Sequence, residues 1–120
     1  MSKVFESREY LFKKWLELFN ATCNNDKIIL YRKNINNIPL FLPLSLEYLD
    51  LSNNEIIEIP KEIGQLFSLK GLKLHGNRIV KIPEEIEQLT SLRHLSLENN
   101  QINKISEQIK YKLNNCTFYI

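Results

Sequence analysis

The chain has 120 residues, 43% of them hydrophobic and 25% charged, which suits one folded domain and argues against disorder over most of the length. Sixteen basic and 14 acidic residues leave a formal net charge of +2, too small to argue for nucleic acid or an anionic membrane as partner. No run approaches the ~20 apolar residues of a transmembrane helix. Glu6, Arg8, Glu9, Lys13 and Lys14 interrupt the N-terminus, where a signal peptide would need an unbroken apolar stretch.

In chain order, residues 8–20 read first, as an amphipathic helix. Leu11, Phe12, Trp15, Leu16, Leu18 and Phe19 make one broad apolar side, with Arg8, Glu9, Lys13, Lys14 and Glu17 mostly opposite. Ser7 suits the N-cap, and Glu9 to Lys13 is an i, i+4 pair. Such a helix fits a membrane surface or a partner groove. It fits better as a cap over the open end of the stacked coils that follow, because an uncovered coil would expose a core cross-section.

Three downstream segments align without gaps at a period of 23 residues. They begin Leu46-Glu-Tyr-Leu49-Asp-Leu51-Ser-Asn-Asn54, Leu69-Lys-Gly-Leu72-Lys-Leu74-His-Gly-Asn77 and Leu92-Arg-His-Leu95-Ser-Leu97-Glu-Asn-Asn100. Each continues with two isoleucines, Ile56 and Ile59 in the first copy, then Pro60, Pro83 or Ser106. The alternation Leu49-x-Leu51 puts both leucines on one face of a short strand. The asparagine that follows carries donors and an acceptor on a short stem. Inside a tight bend it can satisfy backbone groups of its own and the neighbouring coil, so Asn54, Asn77 and Asn100 should stack as a ladder. Pro60 ends the extended part, and Lys61 to Leu66 should return as a short helical turn with Ile63 and Leu66 inward.

This pattern resembles the 23-residue leucine-rich repeats of intracellular Ras-pathway scaffold proteins, over roughly residues 46–113. The resemblance implies an α/β solenoid: a short leucine-rich-repeat horseshoe with a parallel concave sheet and the N-terminal amphipathic helix as its cap. The domains would be a helical cap over residues 1–25 and a repeat domain over 26–120. Its units span about 26–45, 46–68, 69–91 and 92–114, with a terminal strand at 116–120.

The two ends of the array depart from the frame. In the first unit Ile28, Leu30, Ile35 and Ile38 keep it, but Lys33 stands at the ladder position. An ammonium does not enter a dry bend cheaply, so Lys33 should point outward and the ladder should start at Asn54. The stretch from Leu40 to Leu46 shortens this unit and is similar to the proline-containing linkers of bacterial-type and giant-virus leucine-rich repeats, which implies an extended return. At the other end Phe118 and Ile120 fall on the two strand positions, leaving an exposed edge. That edge is an economical ending, a site for strand addition, or the cut end of a longer array.

The non-leucine positions of the strands should form the concave surface. Its rows read Lys27, Tyr48, Gly71, His94; then Ile29, Asp50, Lys73, Ser96; then Tyr31, Ser52, His75, Glu98; and at the bend Arg32, Asn53, Gly76, Asn99. Tyrosine, arginine and histidine suit interface anchors, and Gly71 and Gly76 should leave a shallow notch. The expected partner-binding residues are Lys27, Tyr31, Arg32, Tyr48, Asp50, Ser52, Lys73, His75, His94, Ser96 and Glu98. Mixed charges favour a protein partner over a phosphate backbone.

Catalysis has little to stand on. His75 and His94 sit on adjacent strands about 13 Å apart along the strand direction, at roughly 3.3 Å per residue, too far to share a zinc ion. Cys116 near His94 is a weak nucleophile–base pair, and Glu58, Glu84 and Glu85 read as a solvated face. Three glycines, none in motif spacing, make no phosphate loop. No enzyme, cofactor or metal is therefore expected. Cys23 and Cys116 lie near opposite ends, which disfavours a disulfide and suggests two reduced, mostly buried thiols in an intracellular protein.

The leading expectation is a cytoplasmic, monomeric adaptor or scaffold that binds a protein through its concave face. Two alternatives remain: the substrate-recognition part of a ubiquitin ligase, or a regulator of a small GTPase or phosphatase, the latter by analogy with the scaffold family. The chain has 15 Ile, 14 Asn and 12 Lys against 4 Arg and 1 Ala, a bias of AT-rich codons. It points to a protist, a bacterium or a large DNA virus, in the last case with the host cytoplasm as the setting. It also warns that pairs such as Asn36-Asn37 can reflect codon bias rather than function.

Overall fold

Parallel strands need long returns between them, and this chain meets that need with one coil per repeat. The structure, a computed structural model, describes residues 7–24 and 26–120. The cap assigned to residues 1–25 thus includes seven positions, 1–6 and Asn25, outside the described residues.

Strands β1 (Lys27–Ile29), β2 (Tyr48–Asp50), β3 (Gly71–Lys73), β4 (His94–Ser96) and β5 (Thr117–Tyr119) pair in sequence order as one parallel sheet. The register is unbroken: Ile28, Leu49, Leu72, Leu95 and Phe118 form the middle row. The first four of these are buried. Two residues on, Leu30, Leu51, Leu74 and Leu97 are buried as well, as period-two alternation requires. One continuous core runs from Phe12 to Leu113, and the whole measures 50 × 29 × 26 Å.

The back of each coil differs according to what precedes it. Pro60 and Pro83 each open a five-residue 3-10 turn, Lys61–Gln65 and Glu84–Gln88, with Ile63, Leu66, Ile86 and Leu89 inward. Where the fourth coil has Ser106, its hydroxyl accepts a hydrogen bond from Ile109 N at 3.2 Å. A true side-chain cap replaces the proline, and the return becomes an α-helix, α2 (Glu107–Lys112). Residues 40–46 make turns without a helix, with Leu42 and Leu46 buried.

The first helix, α1 (Arg8–Glu17), is shorter than residues 8–20 and ends in a turn. Ser7 caps it through Tyr10 N at 3.1 Å, and Glu9 pairs with Lys13 at 3.1 Å. Phe12 and Leu16 join the core, and Trp15, Phe19 and Ala21 pack partly against it. Leu18 does not: it lies in the turn beyond the last helical residue and points to solvent. Arg8, read as part of the polar side, reaches across instead. Its guanidinium donates to Leu42 O at 2.6 Å and to Gln65 Oε1 at 3.1 Å, tying the helix to the first two coils.

Inside the bends, three asparagines span neighbouring coils. Asn77 Nδ2 donates to Leu51 O and Leu74 O, while its Oδ1 accepts from Ile56 N. Asn100 repeats this with Leu74 O, Leu97 O and Ile79 N. Asn54 Oδ1 accepts from both Lys33 N and Ile35 N, and its Nδ2 donates to Leu30 O and Leu51 O. The Lys33 side chain itself is exposed.

The residue before each of these positions, or its counterpart in the first coil, is left-handed: Arg32 (φ 57), Asn53 (φ 55), Gly76 (φ 71) and Asn99 (φ 57). Glycine and asparagine tolerate that region and other L-residues resist it. At these positions the asparagine pairs Asn53-Asn54 and Asn99-Asn100 answer a backbone need rather than codon usage.

Two corrections concern exposure. Cys23 is exposed and Cys116 half-buried, because Cys23 lies in the open connection between α1 and β1 rather than under it. Ile120 is exposed too, since among the described residues no strand pairs with the outer edge of β5.

Asn77→Ala should cost ~3–5 kcal/mol, because it orphans buried backbone groups in two coils. Asn100→Ala should cost less, since its site is half-open to water. Urea denaturation of the two variants gives the order. In the opposite direction, Arg32→Asn should raise stability by about 1 kcal/mol by relieving the left-handed strain, read as a higher urea midpoint at unchanged slope.

Candidate functional site

The sheet presents its outward side chains in the rows that the register dictates. Lys27, Tyr48, Gly71, His94 and Thr117 share the first row, and Ile29, Asp50, Lys73, Ser96 and Tyr119 the next. The exposed members at one end are large and partly apolar: Ile29 is 61% exposed, Tyr31 54% and Tyr48 39%. Lys27, Arg32, Lys73 and His94 are exposed, and Asp50 is half-buried. A concavity of about 230 Å³ opens here, walled by Lys27, Ile29, Tyr48, Asp50, Lys73 and His94 over a floor of Ile28, Leu49 and Gly71.

Two of the expected contact residues cannot reach a partner. Ser52 and Ser96 are 3% and 9% exposed. Their short side chains sink between bulkier neighbours, and Ser52 Oγ turns to donate to Asp50 Oδ1 at 2.6 Å. The Ser52 backbone N–H donates to the same oxygen at 3.0 Å, so one side of the Asp50 carboxylate is held within the chain.

The notch expected at Gly71 and Gly76 is filled. A Cβ on Gly71 would lie 2.8 Å from Tyr48 Cδ1, so the Tyr48 ring occupies the space that the glycine leaves. At Gly76 the occupant is the Asn53 side chain. Seated on Gly71, the Tyr48 ring also receives the Lys27 ammonium, 4.9 Å from its centroid. Ring and cation are thus positioned by the sheet rather than free to sweep through solvent.

Further along the face, His75 Nδ1 and Glu98 Oε1 are buried and have no hydrogen-bond partner among the described residues. The two share a row on adjacent coils. A buried polar atom left unpaired costs free energy, and such groups are uncommon in folded proteins.

Chemistry of a catalytic kind finds no support in the cysteines. Burial pushes the Cys116 thiol up to about 11, the reverse of an activated nucleophile. Its sulfur lies 3.6 Å from the Thr117 carbonyl oxygen. Partial desolvation of its sulfur, followed by the nearby Asp26 charge, also raises Cys23, although the residue as a whole is exposed. Among the described residues no group of three or more His, Cys, Asp or Glu is placed to hold a metal ion. Nor is any described helix long and apolar enough to cross a membrane.

The family model described as Leucine-rich repeat region matches residues 24–113. No curated protein matches the chain. Among solved structures it is similar to a leucine-rich-repeat protein of Leptospira interrogans, at 39% identity over 78% of this chain and 25% of that one, with a TM-score of 0.70. It is also similar to the leucine-rich-repeat ectodomain of the receptor kinase SOBIR1 from Arabidopsis thaliana, at 25% identity over 78% and 53% of the two chains, TM-score 0.66. An internalin from Listeria monocytogenes shares the fold at 21% identity, over 78% and 34%, TM-score 0.64. The chain spans from 25% to 53% of the length of these structures.

The seat of Tyr48 can be tested directly. Gly71→Ala should leave the fold intact but push the ring aside, because the new methyl meets an aromatic edge rather than backbone. In proton NMR spectra the Lys27 Hε resonances should lie upfield in the wild type and return to ordinary positions in the variant.

Proposed function

Since the chain belongs to the leucine-rich-repeat family, whose fold generally mediates binding between proteins, we propose that it is a non-enzymatic adaptor or scaffold that holds a partner protein on its concave face. The observation that carries this reading is the placement of Ile29, Tyr31 and Tyr48, all exposed, beside Lys27 and Lys73 on one rigid sheet. Large exposed side chains on a sheet suit interface anchors, and Tyr48, seated on Gly71, gives up little freedom on binding. His94, His75 and Glu98 extend the surface.

In this reading residues 1–25 serve as the cap and residues 26–120 carry the contact. The setting we assign is the cell interior. Its support is the pair of free thiols, Cys23 and Cys116, at opposite ends of the array. The repeats do not set the compartment by themselves, because a receptor ectodomain is among the structural neighbours.

The test is an affinity capture from cell lysate, comparing wild type with Tyr48→Ala/Lys73→Glu. Both substitutions lie on exposed strand positions and should leave circular dichroism and melting close to wild type. Partners should be lost from the double variant. Identical partners on both proteins would move the search to α1 and the β5 edge.

A further inference from the structure

One end of the concave face gathers exposed apolar side chains and unpaired cations together. In the first coil, Lys27, Ile29, Tyr31 and Arg32 all face solvent, and Tyr48 and Lys73 adjoin them from β2 and β3. The ion pairs of the described residues lie elsewhere. Lys13–Glu9, Lys14–Glu17 and Lys110–Glu107 lie within helices; Lys70–Glu47 and Arg78–Glu55 link neighbouring coils. Among those residues Lys27, Arg32 and Lys73 form no ion pair. The carboxylate in register with Lys73 is Asp50, and one of its oxygens is already occupied by Ser52. Lys27 rests on the Tyr48 ring, which leaves the outer side of its ammonium open.

Arg32 adds an independent observation. The equivalent bend position holds Asn53, Gly76 and Asn99 in the other coils, all left-handed. Here alone an arginine takes that conformation, which the backbone disfavours in such a residue. Strain retained at an exposed position on a candidate binding face is a pointer to use.

We propose that this end of the face binds an acidic, apolar segment of the partner protein, with carboxylates on Lys27, Arg32 and Lys73 and an apolar side chain laid on Ile29 and Tyr48. The inference rests on the concave-face reading above and adds the chemistry of the occupant. Spacing favours a segment over a small anion. Lys27 and Lys73 stand two strands and two residues apart, about 12 Å between backbones at ~4.8 Å per strand and ~3.3 Å per residue. Two carboxylates on one extended chain match that distance, and a lone carboxylate does not. A nucleic acid fits less well, because Asp50 sits between the lysines and the aromatic and aliphatic surface would face a phosphate backbone. A basic segment would meet three cations against one carboxylate.

The experiment measures fluorescence anisotropy of labelled synthetic peptides with the full chain. The probes are Gly-Glu-Leu-Glu-Phe-Glu-Gly, its lysine counterpart Gly-Lys-Leu-Lys-Phe-Lys-Gly, and a single-stranded oligothymidine. The acidic peptide should bind saturably, and more weakly as salt rises to ~0.3 M. Lys27→Glu/Lys73→Glu should weaken it by about tenfold or more, with melting unchanged. Arg32→Asn should weaken it severalfold while raising the melting temperature, which separates binding from folding. The proposal is overturned if the acidic peptide does not bind, if the basic peptide or the oligothymidine binds as well, or if charge reversal changes affinity by less than about twofold. Lysate capture then distinguishes the two readings. Partners lost with Tyr48→Ala but kept by Lys27→Glu/Lys73→Glu would preserve the concave-face site and remove its acidic occupant; partners kept by both variants would remove both.

Discussion

Every coil in this protein must turn sharply around its own interior, and that brings backbone N–H and carbonyl groups into a space closed to water. Left unpaired, each would cost ~1–3 kcal/mol, more than a three-residue strand can offset. The amide side chains of Asn54, Asn77 and Asn100 resolve this by bonding to two coils at once. The Asn77 bonds to Leu51 O and Leu74 O, both between 2.9 and 3.0 Å, join the second and third coils through one amide. Because the asparagine must sit at the same point in every bend, the repeat cannot change length freely around it. The residue just before it must be left-handed, which is why Asn53, Gly76 and Asn99 stand there.

The in-register sheet follows from this. Ladder positions that align at intervals of 23 residues place Leu49, Leu72 and Leu95 in one buried row. The residues on either side are forced outward in rows of their own. Folding thus uses one set of positions and leaves another free to vary, so the concave face can carry tyrosine, lysine or histidine without disturbing the core. Packing across coils still limits that freedom. Tyr48 is held because Gly71 has no side chain, and Asp50 is turned partly inward by Ser52.

What the sequence makes legible is whatever depends on local pattern. The leucine spacing gives the strands and their inward faces, Ser7 marks the start of α1, and the prolines mark the 3-10 turns. What it hides depends on the residue one coil away. Ser52 and Ser96 occupy outward positions by alternation, yet their depth is set by taller neighbours. The filling of Gly71 by Tyr48 is open to inference, since the two align 23 residues apart and an aromatic ring can cover the backbone that a neighbouring-strand glycine leaves bare. The reach of Arg8 to Leu42 O and Gln65 leaves no mark in the sequence, because it links segments 34 and 57 positions apart. Ser106 was aligned with proline by position, although its hydroxyl makes a longer helix possible. The choice of contact residues on the face rests on exposure and chemistry, which the spacing alone does not rank.

The first coil brings these constraints into conflict. It has no ladder asparagine of its own, since Lys33 turns outward, and its bend is held from one side by Asn54, whose single Oδ1 serves two N–H groups. Three of its residues, Asp26, Arg32 and Asn34, are left-handed. It is therefore the coil with the fewest internal bonds to its own turn, and it displays Lys27, Ile29, Tyr31 and Arg32. Its other support comes from α1, where Phe12 and Leu16 enter the core and Arg8 binds the Leu42 carbonyl. The first coil thus draws its support from α1 and from Asn54 rather than from a ladder residue of its own, and at its bend Arg32 places a cation where the other coils place asparagine or glycine.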